Sequence, residues 1–234
     1  MPGILLLAPA GILTKTFFGV FARTAVHSEQ WMGGDFWAFC MGCVLWMLAF
    51  VLSLWATGEP CLLGVYVYGH EMTHAFWSML MGGRVTEFKA SREGGYVVTD
   101  KHNLWVALAP YFHPMLSMVV VGVFGLAGVF VDVTQWTWVL FISVGATWAF
   151  HLSFTGWMIS KGQSDLRMNG TFYSLLIIYL MNMLLLSLMF FFFAPVGTAK
   201  EFGLELLDNA ESFGAWSWAR GRELWGWGRA WMRV

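Results

Sequence analysis

The sequence predicts an all-α polytopic membrane protein with about five transmembrane helices, a short β-hairpin and a C-terminal interfacial amphipathic helix. Three observations carry this. Of the 234 residues, 58% are hydrophobic and only 12% charged, against about 25% charged in an ordinary soluble domain. Apolar runs long enough to span a bilayer as helices, about 20 residues each, recur along the chain. One polar interruption of any size, "GGRVTEFKASREGGYVVTDKHN", separates two of them.

The first run, "MPGILLLAPAGILTKTFFGVFARTAVHSE", is interrupted by Lys15 and has no basic stretch before it, which argues against a cleaved signal peptide. Residues 1–35 read instead as an interfacial or partly inserted segment, with Lys15 and Arg23 reaching for headgroups. The expected spans are 36–57, 61–82, 103–131, 136–160 and 171–194, the last ended by Pro195. Pro110 and Pro114 make the start of the third irregular. The polar interruption alternates around Val85, Phe88, Tyr96 and Val97, with Gly-Gly between the halves, the pattern of a hairpin.

Residues 196–234 form a tail in which Trp216, Trp218, Trp225, Trp227 and Trp231 alternate with Arg220, Arg222, Arg229 and Arg233. That mixture suits a helix lying on headgroups, or a surface that docks the chain into a membrane-protein complex. Domain organisation is thus an N-terminal segment 1–35, a membrane domain 36–195 with its core at 60–175, and the tail 196–234.

Lys and Arg fall unevenly among the loops. The segments 58–60 and 132–135 have none, whereas the hairpin holds Arg84, Lys89, Arg92 and Lys101 and the 161–170 loop holds Lys161 and Arg167. The positive-inside rule then makes the hairpin and the 161–170 loop cytoplasmic and leaves 58–60 on the other face. The expected location is a bilayer, as a multi-pass protein of a bacterial inner membrane. A net charge of -1 and the lack of any basic block exclude a nucleic-acid partner. Cys40, Cys43 and Cys61 all lie in or beside apolar runs and read as small packing residues, not as a disulfide framework.

Within the second expected span stands "GHEMTHA" (Gly69–Ala75), an H-E-x-x-H motif. His70 and His74 are one helical turn apart, so two imidazoles can meet one metal ion, while Glu71 is placed to take a proton from a bound water. Zinc with three protein ligands and an open position lowers the pKa of such a water to about 7. Ionisable side chains are costly in a membrane helix, which makes the motif a functional site by default. A third ligand is required. His102, His113, His151, Asp132 and Asp165 are the candidates; Asp165, in "KGQSDLRMNG", leads His151, although Ser164-Asp165 could also cap the next helix.

The chain resembles the site-2 protease family of intramembrane zinc metalloproteases. The "GHEMTHA" helix, a following hairpin with "GGYV" (Gly94–Val97), and two spans with an aspartate at the cytoplasmic end of the second carry the resemblance, over roughly residues 60–175. It departs from the family at "SDL", where Leu-Asp-Gly is usual, and at "ALAPYFHPMLS", which has no Gly-Pro. The resemblance implies a Zn2+ ion on His70, His74 and Asp165, catalysis by Glu71, and cleavage of a membrane-spanning protein held against the hairpin at Gly95, Tyr96 and Val97. The alternative is a catalytically silent scaffold subunit that keeps the metalloprotease fold; a transporter reading lacks the internal repeat it would need.

Overall fold

The structure is a computed structural model and describes residues 2–27 and 33–231, with side chains over 3–24 and 33–225. Its elements are α1 (Pro2–His27), α2 (Gly34–Thr57), α3 (Leu63–Leu80), β1 (Val85–Ser91), β2 (Gly94–Thr99), α4 (Leu104–Leu108), α5 (Met115–Phe130), α6 (Thr137–Ser160), α7 (Ser164–Met168), α8 (Thr171–Phe193) and α9 (Thr198–Trp231). The predicted all-α polytopic class with one short hairpin is what the chain adopts. Among the described residues four stretches are long and apolar enough to cross a membrane: Gly3–Thr24, Gly34–Thr57, Thr134–Ser160 and Thr171–Phe193. A fifth is added if the pair Leu104–Tyr111 and Met115–Phe130, bent by 75°, counts as one broken span. The bend falls at Pro110 and Pro114, where the sequence predicted irregularity; proline removes helix hydrogen bonds and crowds the preceding turn.

The chain divides into two compact units. One runs through α7 to Ile178 in α8. Its spine is the contact of α2 with α6. A Cβ added at Gly42 would collide with the carbonyl of Ile142, and one added at Gly145 with the carbonyl of Phe39. Two glycines thus let the helix backbones touch, the usual device where burial against lipid supplies no drive to associate. Cys43 Sγ donates to the carbonyl of Gly145 at 3.2 Å and Trp46 Nε1 to Ser153 Oγ at 2.9 Å. Beyond them Trp46, Phe50, Tyr66, Val67, Ala149, Phe150 and Phe154 form one aromatic-rich core cluster, in which Tyr66 and Phe154 stack at 4.4 Å. The cysteines are free, as expected. Leu45, Leu48 and Trp55 of α2 and Val123, Leu126 and Phe130 of α5 are exposed, leaving these helices an outer face suited to lipid.

This packing corrects the predicted topology. Gly42 meets Ile142, Trp46 meets Ser153 and Phe50 meets Phe154, so α2 and α6 run in the same direction. Their C-terminal ends emerge on one side, and there Glu59 pairs with Arg92 of the hairpin at 3.5 Å. The 58–60 segment and the hairpin turn therefore share a face, and among the described residues the stretch 61–82 is not one of those long and apolar enough to cross. Tyr66, near the start of α3, stacks on Phe154; Trp77, near its end, meets Phe112, whose neighbour Tyr111 lies at Thr155. Both ends of α3 sit at the C-terminal third of α6, so α3 lies across the bundle. His70, Glu71 and His74 are the physical reason: they make the helix too polar to be a simple span.

β1 and β2 pair antiparallel, with Phe88 opposite Val97 and Ala90 opposite Gly95, and with an irregularity between Val85 and Glu87. The turn is Arg92–Glu93, and the Gly-Gly assigned to the turn from sequence instead opens β2. Tyr68 packs edge-on to Phe88, and the Ser78 and Thr99 hydroxyls hydrogen-bond, so the hairpin lies on α3.

The second unit consists of α1, α8 from Tyr179 onward, and α9. Phe190 packs on Phe17 and Phe21, Asn209 Nδ2 donates to Thr16 Oγ1 at 3.0 Å, and Arg23 pairs with Glu205. The N-terminal segment, expected at the interface, is itself long and apolar enough to span, since Lys15 is its one charge before Arg23. The first part of α9 docks on α1. Trp216, Trp218 and Trp225 are exposed; the side chains of Trp227, Arg229 and Trp231, and all of Arg233, lie outside the described residues.

Gly145→Val should lower unfolding stability in detergent by about 2 kcal/mol or more through overpacking. Gly122→Val, at a helix position with nothing within 4 Å of an added Cβ, controls for helix propensity and should cost well under half of that. Chemical denaturation of the two variants beside wild type checks the contrast.

Candidate metal centre

The site is built on α3. Residues 66, 70 and 74 fall on one helix face at intervals of four, and the side chains of Tyr66, His70 and His74 converge there. His74 Nδ1 lies 2.8 Å from the carbonyl oxygen of Val106 in α4. A carbonyl only accepts, so Nδ1 donates and Nε2 of the neutral ring keeps its lone pair. That carbonyl is free for a reason written in the sequence. Its partner in a continuing helix would be the N–H of residue 110, which is proline and has none. Asn103 fixes the other end of α4, its Oδ1 accepting from Val106 N–H at 2.9 Å. His70 is oriented in a similar way, its Nδ1 lying 3.1 Å from the Tyr66 hydroxyl.

Asp165 arrives from the short helix α7. Leu166 is buried, Ser174 Oγ donates to its carbonyl at 3.1 Å, and Arg167 donates to the carbonyl of Gly162 at 2.9 Å, which together hold the carboxylate against α3. Asp165 does not cap α8; that helix starts at Thr171. Its Oδ2 lies 3.5 Å from His70 Nε2 and 3.6 Å from His74 Nε2, and the two imidazole atoms are 3.2 Å apart. Burial by itself would raise the Asp165 carboxyl; in the metal-free site the imidazoles of His70 and His74, where protonated, outweigh it and hold the group below the usual carboxylate range.

These three distances fit a metal. A tetrahedral zinc with bonds of about 2.0–2.2 Å has ligand atoms about 3.3–3.6 Å apart along each edge. The donor set, two imidazoles and a carboxylate, is one that zinc accepts, and each histidine has the hydrogen-bonded outer partner that metal-binding histidines need. The remaining sequence candidates are elsewhere. Asp132 accepts from Thr134 in the loop before α6, His113 stacks on Phe76, and His151 is buried beside Trp148. His102 lines the cavity next to the site. Asp165, and not His151, completes the group with His70 and His74.

Glu71 is 8% exposed and packs against β2. A Cβ at Gly95 would stand 2.6 Å from Glu71 Cγ, so the strand passes the glutamate at a distance that only glycine allows. A cavity of about 260 Å³ is lined by His70, Glu71, His74 and Asp165 together with Gly95, Tyr96 and Val97. A second, of about 340 Å³, shares His70, Glu71 and Gly95 and extends to Leu63, Trp157 and Lys161. All seven site residues predicted from sequence therefore border one cavity. Tyr66, Tyr111 and the Val106 carbonyl were not anticipated. Tyr66 carries a local signal, four residues before His70; Tyr111, whose hydroxyl donates to Asp165 Oδ2 at 3.0 Å, carries only its place between two prolines.

Purified wild type is expected to hold one zinc per chain by elemental analysis. Glu71→Gln should keep it, and Asp165→Ala and His70→Ala should lose most of it. Zinc retained by Asp165→Ala would remove the carboxylate from the site. Comparisons with protein-family models, with curated proteins and with solved structures found no match to this chain.

Proposed function

We propose that the protein is a zinc-dependent membrane protease that hydrolyses a peptide bond of a membrane-spanning substrate at the bilayer edge. The observation that carries the reading is the placing of Glu71 beside the His70–His74–Asp165 group, in a cavity walled by Gly95, Tyr96 and Val97 of β2. A ligand site needed only for structure has no use for a buried glutamate next to it.

His70, His74 and Asp165 would hold the ion. Zinc supplies, when bound, a Lewis acid for the scissile carbonyl and an acidified water. Glu71 accepts the proton from the attacking water and delivers it to the leaving amine, so it serves first as base and then as acid. Gly95, Tyr96 and Val97 hold the substrate in extended form along β2, which unwinds a helical segment before it is cut. The two cavities that meet at Glu71 receive the chain on either side of the scissile bond. The site lies at the C-terminal end of α6, near Lys161 and the hairpin, on the face that the basic loops mark as cytoplasmic.

The test compares membranes containing wild type with membranes containing Glu71→Gln, mapping new protein N-termini by mass spectrometry. New termini beside membrane spans, absent in Glu71→Gln and suppressed by a zinc chelator, are expected. Identical maps would refute the protease and favour a silent scaffold. Gly95→Ala should reduce the same cleavage at least about tenfold, because the added methyl meets Glu71, while the zinc content stays unchanged.

A further inference from the structure

We infer that Tyr111 is a positioning residue which holds Asp165 as a one-oxygen ligand and so keeps a coordination position open; this rests on the metal reading above.

The carboxylate oxygen nearest both imidazoles is Oδ2, at 3.5 Å from His70 Nε2 and 3.6 Å from His74 Nε2. The Tyr111 hydroxyl donates to that same oxygen at 3.0 Å. A carboxylate can ligate through one oxygen or swing to offer both. If Asp165 swung, its second oxygen would take the position that water and the scissile carbonyl need. The hydroxyl blocks this in two ways. It ties Oδ2 to a fixed point, which restrains the swing of the carboxylate, and it draws electron density from the ligating oxygen, which leaves the ion more electrophilic.

Tyr111 is itself immobile. It is fully buried, its ring stands edge-on to that of His70 at 5.4 Å, and it sits in a 3-10 turn (Ala109–Tyr111) that contains Pro110. The broken span between α4 and α5 thus acquires a purpose. A continuous helix would spread residues 110–114 around its axis, whereas the bend delivers one phenol to one carboxylate oxygen. Tyr68 is the internal contrast: it stands on the same helix as the histidines but is exposed, packs edge-on to Phe88 and lines neither cavity at the site.

The full chain, purified in detergent without metal, is loaded with Co2+ as a spectroscopic substitute for zinc. Visible absorption and the rate of Co2+ removal by EDTA are then measured for wild type, Tyr111→Phe and Tyr68→Phe. Wild type should give the intense bands of four-coordinate cobalt. Tyr111→Phe should still take up one Co2+ per chain but give the weaker bands of higher coordination and a release rate changed by about tenfold. Tyr68→Phe should keep the wild-type band intensity. Unchanged bands and release in Tyr111→Phe overturn the inference, as does an equal change in both variants. A lower melting temperature of metal-free Tyr111→Phe with an unchanged spectrum marks a packing residue and also overturns it. Wild type that takes up no Co2+ overturns the metal reading itself, and this inference with it.

Discussion

The constraint on which the unit through Ile178 depends is that three ionisable side chains on one apolar helix must each find a partner. His70, Glu71 and His74 cannot face lipid, since the cost there runs to several kcal/mol per group. The fold answers by laying α3 across the end of α6, where the Val106 carbonyl, the Tyr66 hydroxyl and the Asp165 carboxylate meet the two histidines and β2 packs closely over Glu71. Seen this way, the hairpin, the broken span and the short helix α7 are the shell of one polar helix. The glycine contact of α2 with α6 and the aromatic cluster provide the rigid wall on which the shell is mounted.

The local parts of this arrangement are legible in the sequence. The i, i+4 spacing of His70 and His74 is a property of any helix and needs no tertiary knowledge. The hairpin is readable from its alternation, and the irregular third span from its prolines. Asp165 required more, because nothing local separates it from His151; order along the chain and resemblance to a family favoured it, and geometry agrees. What was not legible is how helices cross. A hydropathy window registers that 61–82 is apolar enough to be near lipid, yet it cannot separate a helix that spans from one that lies over the end of another. With that one segment miscounted, the side assigned to 58–60 was inverted. The contact between Gly42 and Gly145 was hidden for the same reason, as single glycines in apolar runs have no distinctive pattern until two helices are paired.

The hairpin turn shows a subtler misreading. Two adjacent glycines normally mark a turn, and the turn was accordingly placed at Gly94–Gly95. Gly94 does have φ +141, a conformation other residues rarely adopt. Gly95 is required for a different reason, to let a backbone pass close to a carboxylate. Glycine answers to both demands, and only the neighbouring side chain tells them apart.

The Val106 carbonyl has a consequence for robustness. The orientation and tautomer of His74 are governed by a backbone group that carries no ionisable proton, and that group is available because residue 110 is a proline. Many metal-binding histidines rely on a carboxylate for this purpose, and that support weakens in acid. Here the setting of one candidate ligand rests on chain geometry and not on a second titratable side chain. Variation at position 110 would therefore act on a histidine thirty-six positions earlier in the chain, through an absent hydrogen atom.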